Sequence, residues 1–164
     1  MSPDDGRNGI ALPRLRYLLS AVFISSVLAD QIFGTVVVLS GTVALGYFPV
    51  ILSVEGLVAG IIGVVTGFVA FVALRRIGQR SFIAGSLVAS VPFALVWSGF
   101  FTLTNYQSSP PFYALFLALG LLLYIVGLLV SRQIGGSRVA VVVVVIGIAT
   151  AVFYPWLLAV LIFK

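Results

Sequence analysis

The chain has 164 residues, of which 62% are hydrophobic and 8% are charged, and its mean hydropathy is +1.27. Soluble domains carry about 25% charged residues, so a chain this apolar cannot cover a surface that faces water. The sequence also contains no cysteine and no histidine. Their absence excludes disulfides, thiolate chemistry, the usual zinc ligands and the commonest acid–base group. The composition therefore predicts an all-α integral membrane protein.

Five uncharged runs have the length needed to cross a bilayer, which takes roughly 20 apolar residues. They are Tyr17–Leu39, Gly56–Leu74, Phe82–Leu103, Phe112–Val130 and Val139–Phe163. The segments between them are too short to form a second domain. The sequence therefore predicts a flexible cytoplasmic tail over residues 1–16 and a single five-helix transmembrane domain over residues 17–164.

The positive charge of the chain is concentrated beside the predicted spans. Eight arginines flank them: Arg7, Arg14, Arg16, Arg75, Arg76, Arg80, Arg132 and Arg138. Cytoplasmic loops are enriched in Lys and Arg, so five crossings place the N-terminus in the cytoplasm and the C-terminus outside. We expect the arginines to bind anionic lipid headgroups rather than nucleic acid. The preference for Arg over Lys suits a prokaryote, and the predicted location is the cytoplasmic membrane.

Apolar sequence continues past the first run, and the segment over residues 40–55 is the hardest to place. An additional crossing before Gly56 would put the arginines at 75–80 on the opposite side from Arg14 and Arg16, against the orientation rule. We therefore predict that residues 40–55 form an external connection. The segment either lies in the membrane interface or is re-entrant and covered by other helices.

A cleaved signal peptide is the alternative interpretation of the N-terminus. Val27-Leu28-Ala29 is a small-residue cleavage pattern that follows a basic and then an apolar segment. Cleavage after Ala29 would place the next arginine loop outside, so the charge distribution disfavours it. The sequence alone leaves both interpretations open.

Four glycines form a stripe on the second predicted span. Gly56, Gly60, Gly63 and Gly67 follow a 4-3-4 spacing that places them on one helix face and contains two GxxxG units. Helices in lipid associate by close packing of small residues. The stripe predicts a helix-packing face and places the second helix at the centre of the bundle. A second copy or another membrane protein is an alternative partner for such a face.

Two acidic residues lie in or near the predicted membrane region. Asp30 lies about 20 Å along the first helix from its cytoplasmic edge, and Glu55 immediately precedes Gly56 at the external end of the second span. Acidic side chains inside a bilayer usually face a partner or a wet cavity. The structural interpretation is a protonated or hydrogen-bonded Asp30, for which Ser25, Ser26, Gln31 and Thr35 are possible partners. The functional interpretation is a proton or cation site formed by Asp30 and Glu55.

Aromatic residues collect toward the outer side of the predicted bundle. They are Trp97, Tyr106, Tyr113, Tyr154 and Trp156. Aromatic belts are typical of both membrane interfaces, and we predict this role for them. A ligand-binding vestibule around Asp30 is the alternative.

The sequence lacks the residues of the common membrane enzymes. The only lysine is Lys164 at the terminus, Asp30 has no second intramembrane aspartate, and no phosphate-binding GxxxxGK[ST] loop is present. We therefore predict no catalysis, no cofactor and no metal site. The predicted role is a small structural, accessory or assembly subunit of the membrane. The alternative is a small proton- or cation-coupled transporter or channel that uses Asp30 and Glu55.

Overall fold

A computed structural model describes residues 14–40, 47–77, 91–97, 99, 110–133 and 135–162, and these residues form helices joined by turns. In chain order the helices are α1 (Leu15–Leu39), α2 (Phe48–Ile77), α3 (91–97), α4 (Pro110–Val130) and α5 (Ser137–Ile162). The all-helical prediction is confirmed. Within the described residues, Leu15–Leu39, Phe48–Ala73 and Ser137–Ile162 are long and apolar enough to cross a membrane, and Leu117–Val130 is a shorter apolar helix. These three helices indicate a protein that is integrated into a membrane.

Several predicted features lie outside the described residues. They are most of the N-terminal tail, Arg7 and Arg80, the side chain of Arg76, and much of the predicted third span at 82–103. The described bounds of α4 and α5 agree with the predicted fourth and fifth spans to within two residues at all four ends. Helix α1 is continuous through Ala29 and Asp30, where the alternative interpretation placed a cleavage site.

Among the described helices, α1 is the central one. It contacts α2, α4 and α5, and its buried residues are distributed around the helix rather than along one stripe. Helix α5 is the least enclosed of the three long apolar helices. The prediction that the glycine-rich second helix occupies the centre is therefore wrong. Glycines mark one face of close approach, whereas a central position requires contact on several sides.

Consecutive helices alternate in direction. Gly34 of α1 lies against Leu52 near the start of α2, while Gly67 near the end of α2 lies against Val22 of α1, so these helices are antiparallel. Helix α5 runs parallel to α1, because Gly147 adjoins Phe23 and Tyr154 reaches Thr35. Helices α3 and α4 are antiparallel, with Phe93 stacked on Tyr124 and Trp97 against Gly120. The chain thus passes back and forth through the bundle.

Helix α2 begins earlier than the sequence indicates. It starts at Phe48, so the predicted start of the second span at Gly56 is eight residues too late, and residues 48–55 belong to α2. Pro49 is compatible with this start because proline is tolerated in the first turn, where its missing N–H would have no helical acceptor. Leu52 and Phe48 then pack against Val38 of α1. Glu55 consequently lies within the helix, beyond its second turn, and not at its end.

Candidate functional site

Asp30 lies inside the bundle and does not face lipid. Its side chain is fully buried. The carboxyl group faces Gly56 of α2, where an added Cβ would lie 3.4 Å from Asp30 Oδ2. Trp97 of α3 lies beside the same carboxyl. Three helices therefore enclose the most deeply placed acidic residue of the described chain.

Gln31 is the polar partner of Asp30. Its Nε2 donates to Asp30 Oδ2 at 3.2 Å and to the backbone oxygen of Leu52 in α2 at 3.0 Å. An amide turned by 180° would direct Oε1 at the Leu52 carbonyl, and two acceptors would then face each other. The Leu52 carbonyl therefore fixes the orientation of the Gln31 amide. Because its two N–H groups reach α1 and α2, Gln31 links the two helices at the level of Asp30.

Two buried acceptor atoms remain at this site. Asp30 Oδ1 and Gln31 Oε1 have no hydrogen-bond partner within the described part of the chain. Both side chains are almost completely inaccessible, with exposures of 0% and 2%. Buried polar atoms are nearly always paired, and an unpaired one costs about 1–3 kcal/mol. The indole N–H of Trp97, beside the carboxyl, is the nearest described donor, and one N–H can serve only one of these two acceptors.

Glu55 is the second carboxyl near the site. It is half-buried on α2 and acts on Asp30 through its charge. No basic residue is among the described groups that act on Asp30, which are Glu55, Trp97 and Gln31. The structure thus brings the two predicted acidic residues into electrostatic contact without a compensating arginine. An ionised Asp30 would be a buried and uncompensated negative charge.

The other polar residues predicted near Asp30 contact other groups. Ser26 donates to the backbone oxygen of Val22 at 2.6 Å, and Ser25 lies against Gly127 of α4. Thr35 donates to the Gln31 backbone oxygen at 2.7 Å and shares a hydrogen bond of 2.8 Å with the Tyr154 hydroxyl of α5. Of the four expected partners, only Gln31 contacts the Asp30 carboxyl by a described hydrogen bond.

The four glycines of α2 lie in one seam against α1. An added Cβ at Gly56 would overlap Gln31 Nε2, and one at Gly60 would lie 2.9 Å from Phe23 Cδ2. At Gly63 it would lie 3.0 Å from the backbone oxygen of Val22, and at Gly67 it would lie 2.7 Å from the Val22 side chain. We name these four positions the glycine seam. At its Gly56 end, the absence of a side chain makes room for the Gln31 amide.

The described arginines of the predicted orientation set lie at one end of the bundle. Arg14 and Arg16 lie at the start of α1, Arg75 near the end of α2, and Arg132 and Arg138 at the turn between α4 and α5. The alternating helix directions bring these positions together, and all five side chains are exposed. Arg16 lies over the Tyr17 ring at 4.8 Å, and Arg75 over the Phe71 ring at 5.6 Å. The Asp30 site lies toward the other end.

Trp97 is not a belt residue, and that prediction is wrong for it. The indole is fully buried, stacks on Phe93 with ring centroids 5.8 Å apart, and packs on Gly120 of α4. Counting residues along the sequence gives the depth of a residue in the membrane. It does not give the side of the helix that faces lipid. Trp156 is 53% exposed on α5, whereas Tyr106 and the side chain of Tyr113 lie outside the described residues. The 93/97 spacing, one helical turn, was the available signal for a shared buried face.

The arrangement supplies buried oxygen acceptors, one linking amide and a nearby second carboxyl. It could therefore hold a proton or a small cation, or could simply fasten α1 to α2. No protein-family model, curated protein or solved structure matches the chain.

Proposed function

We propose that the chain is a five-span protein of a prokaryotic cytoplasmic membrane that acts as a non-catalytic structural, accessory or assembly subunit. The observation that supports this role best is the glycine seam. At each of its four positions α1 atoms occupy the space of a side chain, which favours a fixed contact between the two helices. A rigid membrane-embedded body is suited to scaffolding and assembly.

The clustering of the arginines supports the proposed orientation. Lys and Arg are retained in cytoplasmic loops, and anionic lipid attracts each by about 1 kcal/mol. The exposed arginines at one end of the bundle would therefore lie in the cytoplasm. Tyr47, 78% exposed before α2, would lie outside.

Single cysteines test this orientation cleanly, because the native chain has none. We expect Tyr47→Cys to react with a membrane-impermeant maleimide on intact cells. Ser137→Cys, at the start of α5, should react only after the membrane is permeabilised. The unaltered chain is the control for background labelling. Reaction of Ser137→Cys in intact cells, with Tyr47→Cys protected, would show the opposite orientation.

The outer surface of α5 is the natural contact region for lipid or a protein partner. Large apolar side chains are exposed along its length, including Val145, Phe153 and Leu161. Exposed apolar area of this extent requires a bilayer or another protein around it. The proposed partners are therefore the lipid bilayer and either a second copy or a different membrane protein. The arginines are assigned to headgroups and not to nucleic acid.

Ion coupling is the second candidate function. It is favoured by the two acceptor atoms without partners at Asp30 and Gln31 and by the nearby Glu55 carboxyl. Intramembrane carboxyls commonly mark proton or ion pathways. In this case the protein would be a small proton- or cation-coupled transporter or channel.

Flux measurements separate the two candidates. For a structural subunit, we expect the purified chain in phospholipid vesicles to carry no more proton, Na⁺ or K⁺ flux than empty vesicles under an imposed membrane potential. Asp30→Asn should leave both folding and this baseline unchanged. Flux in the unaltered chain that disappears in Asp30→Asn would overturn the structural role and establish ion coupling.

A further inference from the structure

We propose that Asp30 and Gln31 form a buried proton-binding pair, in which the proton on Asp30 Oδ1 is donated to Gln31 Oε1. The inference does not depend on the accessory role, and it restricts the ion-coupling candidate to protons. It starts from the two acceptor atoms that have no partner in the described part of the chain.

The hydrogen-bonding capacity of the two side chains supports a single proton. Gln31 Nε2 already donates to Asp30 Oδ2 at 3.2 Å. A carboxylic acid offers one donor and one acceptor, and an amide offers both as well. A proton on Oδ1 therefore completes a cyclic acid–amide pair, with one hydrogen bond in each direction. The added proton supplies the donor that Gln31 Oε1 lacks.

The surroundings favour a proton over a metal ion. Hard cations such as Ca²⁺ and Mg²⁺ take six or more oxygen ligands, whereas two acceptors are free here. Trp97, beside the carboxyl, can only donate through its indole nitrogen. The titratable group facing the pair from α2 is Glu55. From α5 the nearest described titratable group is Tyr154, which reaches the site through Thr35.

The Gln31 amide also connects the protonated Asp30 carboxyl to α2. The second N–H of Gln31 donates to the Leu52 backbone oxygen at 3.0 Å. A protonated Asp30 would therefore be held against the backbone of α2 through the Gln31 amide.

Infrared difference spectroscopy of the full chain in phospholipid vesicles tests the pair directly. At neutral pH we expect the carbonyl band of a protonated carboxylic acid that is lost in Asp30→Asn and retained in Glu55→Gln. Gln31→Met should keep this band but move it to higher wavenumber, because the acid loses its acceptor.

Thermal unfolding in the same vesicles is the second measurement. Asp30→Asn should melt at the unaltered temperature, since an amide supplies the same donor and acceptor, and Asp30→Leu should melt lower.

Three results would overturn the proposal. One is loss of a carboxylate band, instead of an acid band, in Asp30→Asn. Another is an acid band that does not move in Gln31→Met. The third is a melting temperature that rises with NaCl but not with choline chloride and loses this dependence in Asp30→Asn, which would indicate a metal cation. None of these readouts uses flux, so failure of the proton pair is distinguishable from failure of the proposed structural role.

Discussion

Replacing Gly63 by leucine is expected to destabilise the bundle by about 3 kcal/mol, at the upper end of the range for overpacked interiors. An added Cβ at this position would overlap the Ser26 side chain and lie 3.0 Å from the backbone oxygen of Val22. A flexible side chain can rotate out of the way, but a backbone carbonyl can move only if α1 moves. The substitution therefore has to separate α1 from α2 at the middle of the glycine seam.

The measurement is unfolding in mixed micelles with increasing dodecyl sulfate, followed by circular dichroism. Val65→Leu is the matched control, because it adds apolar bulk on the same helix at a side chain that is 60% exposed. We expect this control to change the free energy of unfolding by less than about 0.5 kcal/mol. Equal effects of the two substitutions would show that α1 does not approach α2 closely at Gly63.

Hydrophobic run length was sufficient to predict α1, α4 and α5 but not the start of α2. Helices α4 and α5 begin within two residues of the predicted spans, because uncharged length is a direct requirement of the bilayer. The first two turns of α2 were missed because the uncharged run was counted from Gly56, after Glu55, and residues 40–55, which include Pro49, were interpreted as a connection. Neither residue breaks a helix there. Proline fits the first turn, and Glu55 is half-buried within the helix.

The identity of the contacts could not be obtained from spacing alone. The 4-3-4 pattern places four glycines on one face of α2, but it does not specify which residues of α1 meet them. Likewise, Ser25, Ser26, Gln31 and Thr35 were equally possible partners for Asp30. The choice of Gln31 depends on the Leu52 carbonyl of α2, and that position is fixed only once the helices have packed.

At the Asp30 site, the sequence identifies the unusual residue, and the structure shows what surrounds it. An uncompensated intramembrane carboxylate is costly, so sequence alone singles out Asp30 as unusual. The cost depends on whether the side chain faces lipid, protein or water, which is a question of helix rotation. Its enclosure by α2 and by Trp97 of α3 answers that question, and no depth count along α1 could have done so.

The two tryptophans of the chain provide the second large expected effect. Trp97→Ala should destabilise the bundle by about 3 kcal/mol, since truncating a buried aromatic residue leaves a cavity and typically costs 3–5 kcal/mol. The lower end applies because lipid-embedded helices gain little from hydrophobic transfer, so lost packing dominates. The indole fills the space between Phe93 and Gly120, and alanine cannot fill it.

Trp156→Ala is the control, because this ring is 53% exposed on α5 and its removal opens no enclosed cavity. We expect a loss below about 0.5 kcal/mol in the same micelle titration. Replacing either tryptophan by phenylalanine leaves a single tryptophan, whose fluorescence reports its contact with lipid independently of stability. Brominated lipid should quench Trp156 in Trp97→Phe far more than it quenches Trp97 in Trp156→Phe. Strong quenching of Trp97 would place its ring in contact with lipid, as the sequence predicted. It would also show that Trp97 of α3 does not enclose Asp30.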